Sequence, residues 1–322
     1  MKRSLLLSLL ALGLLFVLPA CDCDVEGDVE GDEPGECSDG ADNDQDGVAD
    51  CDDDGCAADA ACAGDDDDAG PEWSPPVYDG ECPTFEAGLN EDFVSSGTDR
   101  RFRLALPDDP SGAPLLFAWH WLGGNSQQIM EWLALDDLAE DEGVIVVAPD
   151  SDGYPSEWRW DQPASGNVDA LLFEDLLACL HQQFEVDLGR VHATGMSAGG
   201  LWTTWLIINE SQWLASAAPL SGGVYEAWYA TPEEPIPVMV VWGGPADTYG
   251  NFSFDVASRD FSEELQDDGH FVVECDHGGG HTVPQGAASF TWRFFEEHPK
   301  GLEAEPWADG LPSELPSYCV LP

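Results

Sequence analysis

The stretch R-V-H-A-T-G-M-S-A-G-G-L-W-T-T-W-L-I-I, residues 190–208, decides the fold. Residues 190–194 are β-rich, and residues 201–208 have the apolar make-up of a buried helix. Between them lies Gly195-Met196-Ser197-Ala198-Gly199-Gly200, a G-x-S-x-G run at a strand-to-helix turn. A serine presented on so sharp a turn strains its own backbone. A side chain two residues before or after it would strike the neighbouring strand or helix. Gly195 and Gly199 meet that demand. The helix that follows directs its unpaired N–H groups and its positive dipole end toward the serine, where negative charge develops in acyl transfer. Ser197 is the expected nucleophile.

Outward from this centre, buried strands alternate with helices. Residues 114–121, 143–149, 190–196 and 237–242 are continuous apolar runs of strand length, and residues 100–106 alternate as a half-exposed strand does. Residues 127–142, 168–184, 201–209 and 255–267 carry helical periodicity. This order predicts an α/β fold, a mostly parallel central sheet with helices on both faces.

A serine nucleophile needs a base within hydrogen-bonding reach and an acid to orient that base. On a nucleophile elbow the chain order is serine, acid, histidine. Asp247 follows the apolar run 237–242 by a few residues and is the expected acid. The apolar strand 271–275 leads into Asp276-His277-Gly278-Gly279-Gly280-His281, which offers two histidines. The three glycines allow the backbone to bring the second one close to the serine, so His281 is chosen over His277. One oxyanion donor is the N–H of Ala198. The other comes from the turn H-W-L-G-G-N, residues 120–125, where either Trp121 or Leu122 can supply it and Leu122 is selected. His120 is read as a structural residue beneath that turn. Trp121, Trp158 and Trp160 are candidate substrate-binding aromatics, with core packing equally open for the last two.

These pieces together resemble the α/β-hydrolase esterases of the polyhydroxybutyrate-depolymerase and feruloyl-esterase type. The matching segments are H-W-L-G-G-N, W-R-W at 158–160, V-D-L-G-R-V-H-A-T-G-M-S-A-G-G, and G-G-G-H-T-V-P, close to the G-G-G-H-x-W-P of that group. The resemblance runs from about residue 100 to residue 298, two-thirds of the chain. It implies a secreted carboxylic-ester hydrolase using Ser197, Asp247 and His281, with an ester substrate and no cofactor for catalysis. Trp121 and Leu122 stand where small residues or cysteine are frequent in the group, and Val283 replaces its usual tryptophan. The substrate (feruloyl, acetyl or hydroxyalkanoate ester) therefore does not carry over. A peptidase or lipase of the same fold, and a non-catalytic calcium-binding surface protein with a hydrolase-like fold, are the alternatives.

Composition bounds the partners. The 322 residues carry 64 acidic side chains against 10 basic ones, a formal net charge of -54. Residues 22–72 hold 22 of the acids, and residues 73–322 still have 42 acids against 8 basic residues. Such a surface repels nucleic acid, polyanions and anionic lipid. It also suits concentrated salt, which screens self-repulsion.

The N-terminus, M-K-R followed by an apolar run from Leu5 to Leu18 and then L-P-A-C, reads as a secretory signal over residues 1–20. The L-P-A-C end resembles a bacterial lipobox, which implies lipidation of Cys21 and an extracytoplasmic, membrane-anchored protein. The anchor would be the chain's one link to the membrane. Residues 21–76, rich in Asp, Glu, Gly and Ala, form an acidic tether that cannot bury a core. The catalytic domain is expected over 77–322. Within the tether, Asp42, Asp44, Asp46, Asp50 and Asp53 match the oxygen spacing of calcium loops, so the segment is either a structural calcium site or a solvated linker. Of the ten cysteines, Cys82, Cys179, Cys275 and Cys319 fall in the domain, and a Cys82–Cys319 staple between its two ends is the favoured pairing.

Overall fold

In the computed structural model the apolar runs line up in the middle of one sheet. The structure describes residues 73–322 and Cys56, and Pro71–Pro322 form a compact unit. The expectations for the signal, for Cys21, and for Asp42, Asp44, Asp46, Asp50 and Asp53 lie outside the described residues.

The strands in chain order are β1 (Gly88–Ser95), β2 (Thr98–Ala105), β3 (Leu115–Trp119), β4 (Ile145–Pro149), β5 (Val191–Met196), β6 (Ser216–Leu220), β7 (Val238–Trp242), the short β8 (Thr248–Tyr249) and β9 (Phe252–Ser253), β10 (Val272–Asp276) and β11 (Cys319–Val320). Among the described residues nine of them form one sheet, ordered β1-β2-β4-β3-β5-β6-β7-β10-β11, while β8 and β9 form a separate hairpin. The run from β4 to β10 is parallel, and the outer strands are antiparallel. Helices α1 (Ser126–Leu133), α2 (Leu135–Glu142), α3 (Val168–Phe184), α4 (Ala198–Asn209), α5 (Phe254–Asp267) and α6 (Ala287–Glu297) cover it. Alternation along β3 shows how the layers form. Leu115, Phe117 and Trp119 pack into the core shared with α3, α4 and α5, whereas Leu116 and Ala118 face α1, α2 and α6.

Three features depart from expectation. Residues 127–142 are two helices, because Ala134 takes a left-handed conformation (φ 50°) and ends α1. That swivel lets both Leu133 and Leu135, which a continuous helix would set on opposite sides, reach the core. Strand β6, S-A-A-P-L, had no β-branched signature to announce it. Its small residues let α4 lie close, to the point that a Cβ on Gly200 would sit 2.5 Å from the Leu220 carbonyl oxygen. The Cys82–Cys319 staple is corrected to Cys82–Cys179 and Cys275–Cys319. Cys275 and Cys319 are directly opposed across β10 and β11 with Cα atoms 4.0 Å apart, so Cys319 is already taken.

Parallel strands put all their C-terminal ends on one edge of the sheet, the edge where ligands bind in α/β folds. Ser197 follows β5, Asp247 follows β7 and His281 follows β10.

Candidate active site

Ser197 sits between β5 and α4 with φ 58° and ψ -115°, a conformation that an L-residue holds only under constraint. Its N–H donates to the Leu220 carbonyl (2.9 Å) and its carbonyl accepts from Leu201 N–H (2.8 Å), so both sides of the turn are pinned. The flanking glycines are a steric necessity. A Cβ on Gly199 would lie 2.0 Å from the Trp119 carbonyl oxygen, and one on Gly195 would lie 2.5 Å from that of Gly199.

The loop after β10 brings a histidine to this serine. Gly280 N–H donates to the Gly243 carbonyl (2.8 Å), and a Cβ on Gly243 would meet the Gly280 oxygen at 1.9 Å. Only glycine permits two backbones to approach so closely, and the approach sets the position of the next residue. His281 Nε2 lies 2.9 Å from Ser197 Oγ and Nδ1 lies 2.6 Å from Asp247 Oδ1. A carboxylate only accepts, so Nδ1 carries the proton and Nε2 is left free to accept from the serine hydroxyl. Phe254 stacks on the imidazole at 4.5 Å. His277 turns away: its Nδ1 accepts from Gly279 N–H (3.2 Å), and its ring packs near Tyr318.

Asp247 is fully buried. Burial alone would raise its pKa, but hydrogen bonds from His281, Gly243 N–H and Ser221 outweigh that and hold the carboxyl below its usual range. Oδ2 accepts from Ser221 Oγ (2.7 Å) and Gly243 N–H (2.8 Å), leaving Oδ1 for the imidazole. Sequence reasoning missed Ser221. It stands just past β6, which itself gave no strand signal, and at φ 45° it is another strained rim residue.

The turn after β3 is held from below. His120 is buried; its Nδ1 donates to the Trp121 carbonyl (2.9 Å) and its Nε2 accepts from Ser151 N–H (3.1 Å). Burial lowers the His120 pKa, so the ring is kept neutral in this clamp. Gly124 N–H donates to the Trp121 carbonyl (2.9 Å) and Gly123 N–H to Glu157 (3.0 Å). Leu122 and Ala198, the selected oxyanion donors, both line the cavity that holds Ser197 and His281.

That cavity encloses about 550 Å³. Trp121 and Trp160, two of the three candidate aromatics, line it. Trp158 does not, and this reading is corrected. Trp158 is fully buried, packed edge-on against Trp119 at 5.1 Å, with its indole N–H donating to the His120 carbonyl (2.8 Å). Arg159 is drawn onto Asp152 (2.7 Å) and the fully buried Asp169 (3.1 Å), which Arg100 also contacts (3.0 Å). Trp158 packs under the turn, while Trp160 lines the cavity. Trp132, Tyr249, Phe252 and Phe254 also line the cavity, and none of them carried a motif. Among the described residues no group of three or more His, Cys, Asp and Glu is placed to hold a metal ion.

The arrangement is a hydroxyl, an imidazole and a buried carboxylate in one hydrogen-bonded row at the C-terminal edge of a parallel sheet. Solved structures share the fold that carries it. The native crystal structure of pOPH matches with a TM-score of 0.58, covering 74% of this chain and 96% of that one at 20% identity. The acetyl xylan esterase from Aspergillus awamori matches at 0.53, covering 65% of this chain and all (100%) of that one at 16% identity. The chain has the α/β-hydrolase fold.

Curated relatives in sequence are hydrolases, esterases and a depolymerase by name. The oxidized polyvinyl alcohol hydrolase of Sphingopyxis sp. is 27% identical over 188 residues, 48% of this chain and 50% of that protein. The probable feruloyl esterase C of Aspergillus terreus is 27% identical over 45% of this chain and 53% of its own length. The poly(3-hydroxyalkanoate) depolymerase C of Paucimonas lemoignei is 26% identical over 41% of this chain and 33% of its own. The chain thus spans about half the length of the first of these relatives. No family model matches it.

Proposed function

We propose that the protein is a serine carboxylic-ester hydrolase acting on uncharged small or polymer-derived esters. One observation carries this reading: Ser197 Oγ, the His281 ring and Asp247 are joined by hydrogen bonds of 2.9 and 2.6 Å across three separate strand ends. In the cycle His281 Nε2 takes the Ser197 proton as Oγ attacks the ester carbonyl carbon. The carbonyl oxygen becomes an oxyanion held by the N–H groups of Ala198 and Leu122. The imidazolium then returns the proton to the departing alcohol, leaving an acyl-serine. Water, deprotonated by the same nitrogen, attacks the acyl-serine and releases the carboxylic acid and free Ser197. Asp247 keeps the ring in the tautomer that accepts from serine and stabilises its charged form.

The names of two relatives, a probable feruloyl esterase and a poly(3-hydroxyalkanoate) depolymerase, support an ester substrate. Strong negative charge favours neutral substrates and expels the carboxylate product. We further propose that the acidic N-terminal segment, lipidated at Cys21, tethers the enzyme outside the cytoplasm, with a structural calcium at Asp42, Asp44, Asp46, Asp50 and Asp53. The test is hydrolysis of p-nitrophenyl butyrate together with labelling by a fluorophosphonate. Turnover and a mass increment on the Ser197 peptide are expected; turnover without Ser197 labelling refutes the mechanism.

A further inference from the structure

We infer that a second cavity, lying along α4 beside the Ser197 cavity, binds the extended aliphatic chain of the ester being cleaved; this rests on the hydrolase reading above. The second cavity encloses about 540 Å³. It shares Trp160, Leu201 and Phe252 with the cavity of Ser197, so the two adjoin along a common wall. Its floor is one face of α4: Leu201, Thr204, Trp205, Ile208 and Asn209, spaced as i, i+3, i+4, i+7 and i+8. Helix geometry carries this face away from the nucleophile by about 16 Å between positions 197 and 208. An extended carbon chain, advancing roughly 1.3 Å per bond, would cover that distance in about a dozen bonds.

The wall's chemistry selects the occupant. Trp160, Trp205, Trp228 and Phe252 supply apolar surface. The Trp160 indole N–H has no partner among the described residues, but the other principal donors of the wall are engaged with the protein itself. Thr204 Oγ1 donates to the Gly200 carbonyl (3.1 Å) and accepts from Gly223 N–H (2.8 Å). The Trp205 indole N–H donates to the Gln162 carbonyl (2.9 Å). The Asn209 amide donates to the Trp205 carbonyl (2.9 Å), and the Gln162 amide donates to Tyr154 Oη (3.0 Å). A sugar chain would lose its water contacts here and find these donors occupied, at a net cost. A charged chain would find Asp161 and no Lys, Arg or His in the lining. An uncharged alkyl or alkyl-ester chain needs neither donors nor a counter-ion.

Two substrate series test this, one for each side of the ester bond. In p-nitrophenyl esters from acetate to dodecanoate the acyl chain lengthens; in alkyl acetates from methyl to dodecyl the alcohol lengthens. In one series kcat/KM is expected to climb past butyl, by up to about four-fold for each CH₂ that leaves water. Ala230→Trp, at an exposed wall position, is expected to cut the dodecyl-to-acetyl ratio at least tenfold, through KM. Ile208→Trp, which fills the floor, should do the same, with circular dichroism confirming the fold of each variant. A further arm reads binding without turnover: Ser197→Ala titrated with dodecyl acetate should show quenching of tryptophan fluorescence that Ala230→Trp abolishes. Flat profiles in both series, a climb that survives both tryptophans, or preference for acetylated xylo-oligosaccharides over the long chains overturns the inference and leaves the hydrolase reading standing. Binding of dodecyl acetate with no turnover of any ester by the wild type removes the hydrolase reading instead, and with it the claim that this chain belongs to a substrate.

Discussion

The fold contains two histidine–carboxylate pairs, at opposite edges of the same sheet. At the upper edge His281 meets Asp247 at 2.6 Å. At the lower edge His298 meets Glu305 at 2.8 Å. As ion-pair geometry they are nearly equivalent, and what surrounds them differs. The second nitrogen of His281 faces the Ser197 hydroxyl, and its side chain keeps 23% of its surface exposed, open to a cavity. The second nitrogen of His298 faces the Phe294 carbonyl (2.6 Å), and its ring, fully buried, stacks on Phe271 and Phe294. A histidine paired with a carboxylate becomes a base only when its free nitrogen points at a transferable proton beside a space for substrate. Otherwise the same pair is a rivet.

Breaking the upper pair's row should have the largest effect. Ser197→Ala should lower kcat for p-nitrophenyl butyrate by about 10⁴-fold or more with the thermal midpoint retained. Asp247→Asn should cost roughly 10³- to 10⁴-fold, because an amide can steer the imidazole into the wrong tautomer. Glu305→Ala is the matching change below. It removes the acceptor of His298 and of Trp307 N–H and should cost about 1–3 kcal/mol of stability while kcat stays within twofold. Equal kinetic losses from Glu305→Ala and Asp247→Asn would erase the distinction.

Stability should also depend on pH, chiefly through the lower edge. Burial, reinforced by Arg190 and His298, pushes His192 down to about 3, and burial lowers His270 as well. Both rings are neutral in the fold and gain a proton on unfolding near their ordinary value of about 6.5. Their contribution is therefore complete above about pH 6.5 and falls below it; for His192 the loss continues toward pH 3, at up to about 1.4 kcal/mol per pH unit. Urea midpoints at a series of pH values measure the slope, and His192→Phe should remove one proton's share of it. Smallest is Ser221→Ala, which takes one donor from Asp247 Oδ2 and leaves Gly243 N–H in place. It should lower kcat about three- to tenfold with KM unchanged.

Some residues of the site could be read from local pattern, and others could not. Ser197 was readable because its turn demands glycines at fixed offsets; the 2.0 Å approach of a Gly199 Cβ to the Trp119 oxygen shows that demand in atoms. His281 was separable from His277 because a glycine run lets one backbone pass close to another. Trp158 and Trp160 were not separable. Trp158 is held by Trp119 and by the His120 carbonyl, which lies 38 positions away in sequence. The disulfide pairing failed for a similar reason: Cys82 and Cys179 are 97 positions apart in sequence and become neighbours only when α3 packs.

By itself the sequence determined the class of fold, the chain order of the serine, aspartate and histidine that meet at the sheet's edge, and the sign of the surface charge. These depend on periodicity, on short-range sterics and on composition, all of which are local. Only the tertiary structure decided which tryptophan lines the Ser197 cavity, which cysteines pair, that Ser221 donates to the buried carboxylate, and that a second cavity continues along α4. Each of those is a contact between segments remote in sequence, settled by how the helices pack on the sheet.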